Sequence, residues 1–337
     1  MSAIPMDFVN LVPPSPTKPK SQWMKANTPV FGPLNGQALS GIRDQFTIST
    51  WLSLGAILQT AAYLLVGRLS LLPASALVAY RVLDAFLMTV GVKRNPAMDG
   101  VILNKFAAAF PDAGGKFGNK PAREGVVCFL IGARCNQYGS MGADGIKGNP
   151  EYTSPLLTCN IVPLGLLGYG FKDLGKFFEA NTKECEAHAD EYGLIGMSSW
   201  ISNGERATGN EIMAVMYFKD VEGLHKFAHG PQHRKGWEWW NKNLRKLPHL
   251  SIWHEVFAAP AGHWEGIYAN SHATGLGATA IRVELPASEK GSAETAWFSP
   301  IVDARKGVLK TSAGRMTMSN GDDHDKYGDD PYDNYGQ

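Results

Sequence analysis

Apolar and polar positions change period several times along the chain, and each change predicts an element. Residues 47–66 and 69–92 are two almost unbroken apolar runs, each about the length that crosses a bilayer. Ser53, Gln59 and Thr60 interrupt the first, while the second carries Arg81 and Asp84 three apart, close enough to pair on one helix face. Charge at mid-membrane is costly, so the second run is the weaker span. From residue 126 the pattern becomes a strict alternation. Val127, Phe129, Ile131, Ala133 and Cys135 are apolar or small, and the intervening set ends in Arg134 and Asn136, which predicts a strand with one core face. Phe171, Leu174, Phe177, Phe178, Cys185 and Tyr192 then fall at helical spacing, with Gly193 as the stop. Residues 194–202 and 211–218 read as two strands joined across 203–210, a hairpin signal opened by Asn203-Gly204. Residues 221–246 are helical with a break at Gly230-Pro231, where the proline suits the first turn of a new helix. Residues 249–257 close the series as a strand, and 281–285 suggest one more short strand.

The order is β-α-β-β-α-β, an α+β ferredoxin-like arrangement in which helices cover one face of a four-stranded sheet. The other face also needs cover. A second copy of the sheet supplies it most simply, giving a homodimer with a barrel between subunits. On that expectation the Val127/Phe129/Ile131 face lines the barrel, and Arg134 and Asn136 turn toward the helices, where a pocket can form. The predicted organisation is a disordered segment at 1–45, membrane-spanning or membrane-associated helices at 46–95 and a linker at 96–121. A ferredoxin-like domain at 122–285 and a mostly disordered acidic tail at 286–337 follow. Residues 138–170 are too long for an ordinary connection and are a candidate lid or substrate-entry segment.

Composition narrows the partners. With 32 basic and 31 acidic residues, no basic excess points to nucleic acid. Cys128, Cys135, Cys159 and Cys185 form no C-x-x-C pair and no zinc spacing, which favours a reducing compartment and no metal. Residues 1–40 lack the apolar core of a secretory signal. Lys18, Lys20, Lys25 and Arg43 precede the first apolar run, Lys93, Arg94, Lys105 and Lys116 follow the second, and only Arg68 lies between. Positive flanks stay cytosolic, so the expectation is a hairpin in a membrane such as the endoplasmic reticulum, with the main domain in the cytosol. Two amphipathic helices packed on the soluble domain are the competing reading.

The densest chemistry lies in residues 252–257 and 262–270. His254 and Glu255 are strand neighbours, so they point to opposite faces and only one can serve a given pocket. His254 is the best candidate base, because an ordinary imidazole titrates near neutral pH; a histidine bonded to a backbone carbonyl is the alternative. His225, His229 and His233 recur every four residues, but the Gly230-Pro231 break spoils their register, and no carboxylate stands at a ligand offset. His233 leads a stripe with Trp237, Trp240 and Leu244 that should face the sheet, as a core histidine or a pocket residue. The tryptophans can be packing or the wall of an apolar site. No P-loop, G-x-S-x-G or dinucleotide fingerprint is present.

These motifs resemble a known family. Ile252-Trp253-His254-Glu255, then Ala261-Gly262 with Glu265, Ile267-Tyr268 and Asn270, then Gly275-Leu276-Gly277, are similar in order and spacing to a signature of monooxygenase-like proteins. These proteins are related to the antibiotic-biosynthesis monooxygenases, and the likeness is to the fungal, fumagillin-pathway type. Ile131-Gly132-Ala133-Arg134-Cys135-Asn136 resembles the family's "VGxRxN" strand; Tyr217-Phe218 with Leu224, and His233 with Trp237 and Asn241, match further motifs. Val256-Phe257 and Ser271-His272 depart from it, standing where Thr-Tyr and Met-Pro are usual. The resemblance covers about residues 122–280. It implies a dimeric α/β barrel, and a site drawn from Arg134, Asn136, Tyr217, His233, Trp237, Asn241, His254, Glu255, Tyr268 and Asn270.

The expected function is a monooxygenase on an apolar terpenoid or polyketide intermediate of fungal secondary metabolism. Dioxygen is its co-substrate and no cofactor is needed. His254 or His233 would be the base, and Arg134 and Asn136 would contact a carbonyl or oxyanion. The alternatives are a heme-binding dehydratase or other heme-dependent enzyme on the same fold, with His233 or His254 as axial ligand, and a non-catalytic, membrane-tethered binding subunit.

Overall fold

The structure, a computed structural model, describes residues 7–21, 29–31, 34–35, 43, 48–136, 170–201, 211–285 and 294–318. The expected lid, the hairpin turn at 203–210 and the acidic stretch from residue 321 lie outside the described residues. Helices α1 (Ile48–Val66) and α2 (Leu72–Thr89) carry the two apolar runs, and neither has a buried residue. Gly67 separates them at φ +67°, a conformation that leaves the helical path. Gln59 of α1 donates to Ser70 just past the bend at 3.0 Å. The Ile48–Thr89 stretch contains an 18-residue window of mean hydropathy 1.6 and is long and apolar enough to cross a membrane. Asp84 pairs with Lys93 rather than with Arg81.

Strand β1 (Val101–Ala108) follows. The sequence pattern predicts a linker here, because residues 96–121 are rich in Gly, Pro and Lys. Lys105 is buried, and its ammonium donates to the Lys310 carbonyl at 2.7 Å. A tertiary contact invisible to local pattern thus permits the strand. The predicted series then appears in order: β2 (Val126–Cys135), α3 (Phe171–Ala187), α4 (Ala189–Tyr192), β3 (Leu194–Ile201), β4 (Ile212–Phe218), α5 (Val221–Ala228), α6 (Pro231–Asn243) and β5 (Leu250–Ala259). Gly193 ends α4 at φ +65°, Asp220 caps α5 through the Gly223 amide at 2.7 Å, and Pro231 opens α6. The four strands form one antiparallel sheet in the order β3-β4-β2-β5, which is the ferredoxin-like order.

The helices cover the face opposite to the one expected. Val127 and Phe129 pack with Cys185, Leu194, Met216, Phe218, Leu224 and Phe227, and Ile131 joins them. Ala133 and Cys135 pack with Phe171, Leu174 and Leu247. Arg134 therefore faces away from the helices, because alternation along β2 runs without a register shift against β5. Both sets of β2 residues are largely apolar, so period-two patterning separates them without saying which set the helices take.

The remaining chain forms a second layer. β6 (Ile267–His272), β7 (Ile281–Leu285), β8 (Glu294–Phe298) and β9 (Ile301–Asp303) build a β9-β1-β6 sheet and a β7-β8 ribbon, and α7 (Ser312–Arg315) follows. Part of the expected disordered tail is thus folded, and so is part of the N-terminal segment. Asn10 and Ser15 bridge Val302 and Trp297, completing edges that no local periodicity announces. The two layers share a core in which Val126 and Ile195 meet Trp264, Leu276, Ile281 and Phe298. The chain itself therefore covers one end of the face for which a second copy was expected.

Asn270 sits at φ +48°, opposite the irregular pairing of β1 between Ile102 and Lys105. Asparagine is among the few residues that tolerate this region. Asn270→Val should therefore lower stability by about 1–2 kcal/mol, and by more than Asn270→Gly does, read as thermal midpoints.

Candidate functional site

The open face of the four-stranded sheet meets the second layer around a cavity of about 380 Å³. Val126 and Cys128 come from β2, Tyr217 from β4, Trp200 from β3, and Phe257 and Ala259 from β5. Trp264, Glu265, Tyr268 and the turn 274–276 close it from the other side. Strand alternation explains the first set: Cys128 is the cross-strand partner of both Tyr217 and Phe257, so the three share one face. Trp200 is 48% and Phe257 55% exposed, which marks the open mouth.

Glycines of the resembling motifs make room here. A Cβ on Gly277 would stand 3.0 Å from the Tyr268 ring, and one on Gly275, already at φ +53°, would stand 3.3 Å from the Tyr217 hydroxyl. A Cβ on Gly132 would run into the Trp253 indole, which lies across the strand and donates to Glu211. Tyr268 stacks on Phe106 at 4.9 Å, and its oxygen accepts the Gly277 amide at 2.8 Å. Burial pushes the Tyr217 phenol up to about 12; neighbouring Cys128 and Tyr268 add to the shift, and the Leu276 backbone opposes it. Tyr268 is also raised by burial, against the pull of the Gly277 amide. Both phenols are therefore neutral at physiological pH. Burial also raises the Cys128 thiol. Glu265 is tied to Arg315 at 2.6 Å and to Ser312 at 2.8 Å.

The structure separates the sequence-predicted residues into groups. Tyr217 and Tyr268 meet at the cavity. Glu255 shares its face but is exposed beyond the mouth, opposite Leu130. Arg134 is on this face too, at the far end of β2, and Asn136 is exposed past the strand end, its amide bonded to the His249 carbonyl at 2.6 Å. His254 lies on the helical face against Phe129 at 5.6 Å. His233 packs there against Phe227 at 5.7 Å and Trp237 at 6.2 Å. The expected grouping of a histidine base with Arg134 and Asn136 in one pocket is therefore not what the fold builds, because odd and even positions of β2 and β5 point to opposite sides. Trp237 and Leu244 are each 49% exposed rather than sheet-facing, and Asn241 is exposed. Asn270 lies outside the cavity at its irregular backbone position. Sequence reasoning does not single out Cys128, Trp200 or Trp264 for this wall. The even-numbered alternation of β2 carries the signal for Cys128, whereas Trp264 arrives by a tertiary contact of its indole with the Glu124 carbonyl at 2.6 Å. Among the described residues no group of three or more His, Cys, Asp or Glu is placed to hold a metal ion.

His233 is held below its ordinary value of 6.5, first by burial and then by His254 and His229, with the Ala228 carbonyl pulling the other way. The unfolded chain takes up that proton more readily, so the contribution to stability is present above 6.5 and is lost as pH falls below it. His233→Phe should remove part of this slope, with a smaller drop in thermal midpoint between about pH 7 and about pH 5 than in the parent protein.

Comparison with known proteins agrees with the motifs. Residues 163–276 match the sequence model of the Monooxygenase af470-like family. The chain is 28% identical over 274 residues to Monooxygenase af470 of Aspergillus fumigatus, spanning 81% of this chain and 88% of that protein. The resemblance to this monooxygenase-like family is thereby borne out. Among solved structures, the chain is similar to SnoaB, a cofactor-independent oxygenase from Streptomyces nogalater, at 13% identity and TM-score 0.21, over 40% of this chain and 92% of that one. It is also similar to aldoxime dehydratase OxdRE in complex with butyraldoxime, at 11% identity and TM-score 0.33, over 54% of this chain and 40% of that one. Likenesses this remote carry no weight for the chemistry.

Proposed function

We propose, from this similarity to monooxygenases, that the chain is an oxidoreductase that inserts oxygen into a small apolar compound held in the cavity between Tyr217 and Tyr268. The observation that supports this most is convergence. Strand segment 131–136, Tyr217, Tyr268 and the Gly275–Gly277 turn resemble the family in separate stretches of sequence, and the last three meet at one cavity. Its volume of about 380 Å³ suits a compact ligand, and aromatic walls exclude water. A terpenoid or polyketide intermediate of fungal secondary metabolism fits that character, as does the Aspergillus origin of the relative. Dioxygen is the co-substrate, and the substrate supplies the electrons. An activated methylene loses a proton and gives its electrons to dioxygen, and the resulting hydroperoxide expels water. One methylene group and one dioxygen thus become one carbonyl group and one water. The chain's part is to hold the substrate and stabilise the oxygen on which charge gathers.

The apolar helices α1 and α2 would anchor this site to a membrane in which such substrates dissolve, the endoplasmic reticulum with the domain on its cytosolic side being the location that the flanking charges favour. A second copy would lie across the exposed outer part of β5 and the open face beyond the cavity, giving a homodimer. A second reading uses the helical face: His233 has a buried Nδ1 without a hydrogen-bond partner, so His233 or His254 would serve as base or as axial ligand to heme. A Soret absorption lost in His233→Ala would favour heme.

The test expresses the full chain in a fungal host under oxygen-18 gas, beside Cys128→Trp, which fills the cavity, and His254→Ala. A labelled apolar product is expected with the parent protein and with His254→Ala, reduced at least tenfold by Cys128→Trp. Labelling that survives Cys128→Trp and disappears in His254→Ala would move the reaction to the helical face.

A further inference from the structure

The cavity wall offers few polar hydrogens, and those of its two indoles are already committed. The Trp264 indole donates to the Glu124 carbonyl at 2.6 Å, and the Trp200 indole to the Ser198 hydroxyl at 2.9 Å. Glu265, the carboxylate of the lining, accepts from Arg315 and Ser312. The two phenols differ. The Tyr268 oxygen uses its accepting capacity on the Gly277 amide at 2.8 Å, which leaves its O–H to donate. The Tyr217 hydroxyl lies against Gly275, where an added Cβ would stand 3.3 Å away, and the Leu276 backbone opposes the effect of burial on it. Among the described residues no carbonyl or carboxylate accepts a hydrogen bond from either phenol. The Tyr268 ring is fixed by the Phe106 stack and by close approach of Gly266 and Gly277, so its hydroxyl is held in one place.

We propose that Tyr217 and Tyr268 form a paired hydrogen-bond donor that selects compounds presenting a carbonyl, enolate or phenolate oxygen to the cavity, over hydrocarbons of the same shape. This rests on the cavity being the substrate site, and it narrows the substrate to apolar molecules that already carry an oxygen beside the carbon to be oxidised. A neutral phenol gives a proton to such an oxygen without having to be ionised. Two donors aimed at one atom are worth most when charge gathers there, as when a neighbouring methylene is deprotonated. A buried donor left without an acceptor disfavours the hydrocarbon, which makes the preference larger than a loss of contact alone. The class of reaction that supplies the substrate would accordingly install a ketone or a phenol on an apolar skeleton.

Two probes of nearly equal shape test this on the full chain in detergent, 2-acetylnaphthalene and 2-isopropenylnaphthalene, followed by quenching of tryptophan fluorescence and by calorimetry. The ketone should bind about tenfold tighter, corresponding to two neutral hydrogen bonds of modest worth each. In Tyr217→Phe/Tyr268→Phe the preference should shrink to about twofold or less, with the ketone bound more weakly and the hydrocarbon at least as tightly as in the parent protein. Each phenylalanine keeps the ring, and the ratio in the parent protein is informative even if the double variant misfolds. Equal affinities in the parent protein, or a preference that survives the double variant, would overturn the inference while leaving the cavity as a binding site. If neither probe binds, or both bind Cys128→Trp unchanged, the cavity reading falls with it.

Discussion

The central strand Val126–Cys135 is apolar on both faces and hydrogen-bonded along both edges, and the rest of the described domain is arranged around that constraint. A buried strand cannot leave its backbone groups unpaired, so β4 and β5 are zipped to its two sides in unbroken register. Its odd-numbered side chains demand one covering layer and its even-numbered ones another. The helices provide the first through Cys185, Leu224 and Phe227, and the second layer provides part of the other through Trp264 and Leu276.

The cavity lies where the second cover is incomplete. β5 is an edge strand of the four-stranded sheet, and the covering layer reaches the β3 side through the turn at 275–278, whose following Ala280 amide bonds to the Ile195 carbonyl at 2.9 Å. Between that turn and Phe257 the face is roofed by Tyr268 and Trp264. The same geometry explains why polar groups are scarce there. A surface built to be a sheet core is apolar by default, and Tyr268 is admitted because the Gly277 amide of the turn partners its oxygen.

Separation of the two faces also separates the chemistry. His233 lies among aromatic rings and His254 is exposed on the edge strand against Phe129, both on the helical face, whereas the phenols, Cys128 and Glu255 lie on the far side of the same sheet. Any group that reaches both must go around the sheet, so the two sets act in different environments. The apolar helices at 48–89 stand apart in character from both: they contribute no buried residue, and their exposed surface matches hydrocarbon better than water.

Local periodicity determined much of this protein. The order of strands and helices from 126 to 259, the stops at Gly193 and Gly230-Pro231, the apolar pair of helices, and the opposition of His254 to Glu255 all follow from spacing alone, because they depend on neighbours within a few residues. The spaced motifs also marked Tyr217, Tyr268 and the 275–277 glycines before any reason for them was visible. Three-dimensional packing decided the rest. Alternation divides β2 into two apolar sets without saying which set the helices bury, and that one choice placed Arg134 away from the histidines. β1 was hidden because its buried Lys105 depends on a carbonyl more than 200 residues away, and the strap at Asn10 and Ser15 exists only as a partner to Val302 and Trp297. The cavity is a gap between two layers, and such a gap is a property of how layers meet, which no single stretch of sequence contains.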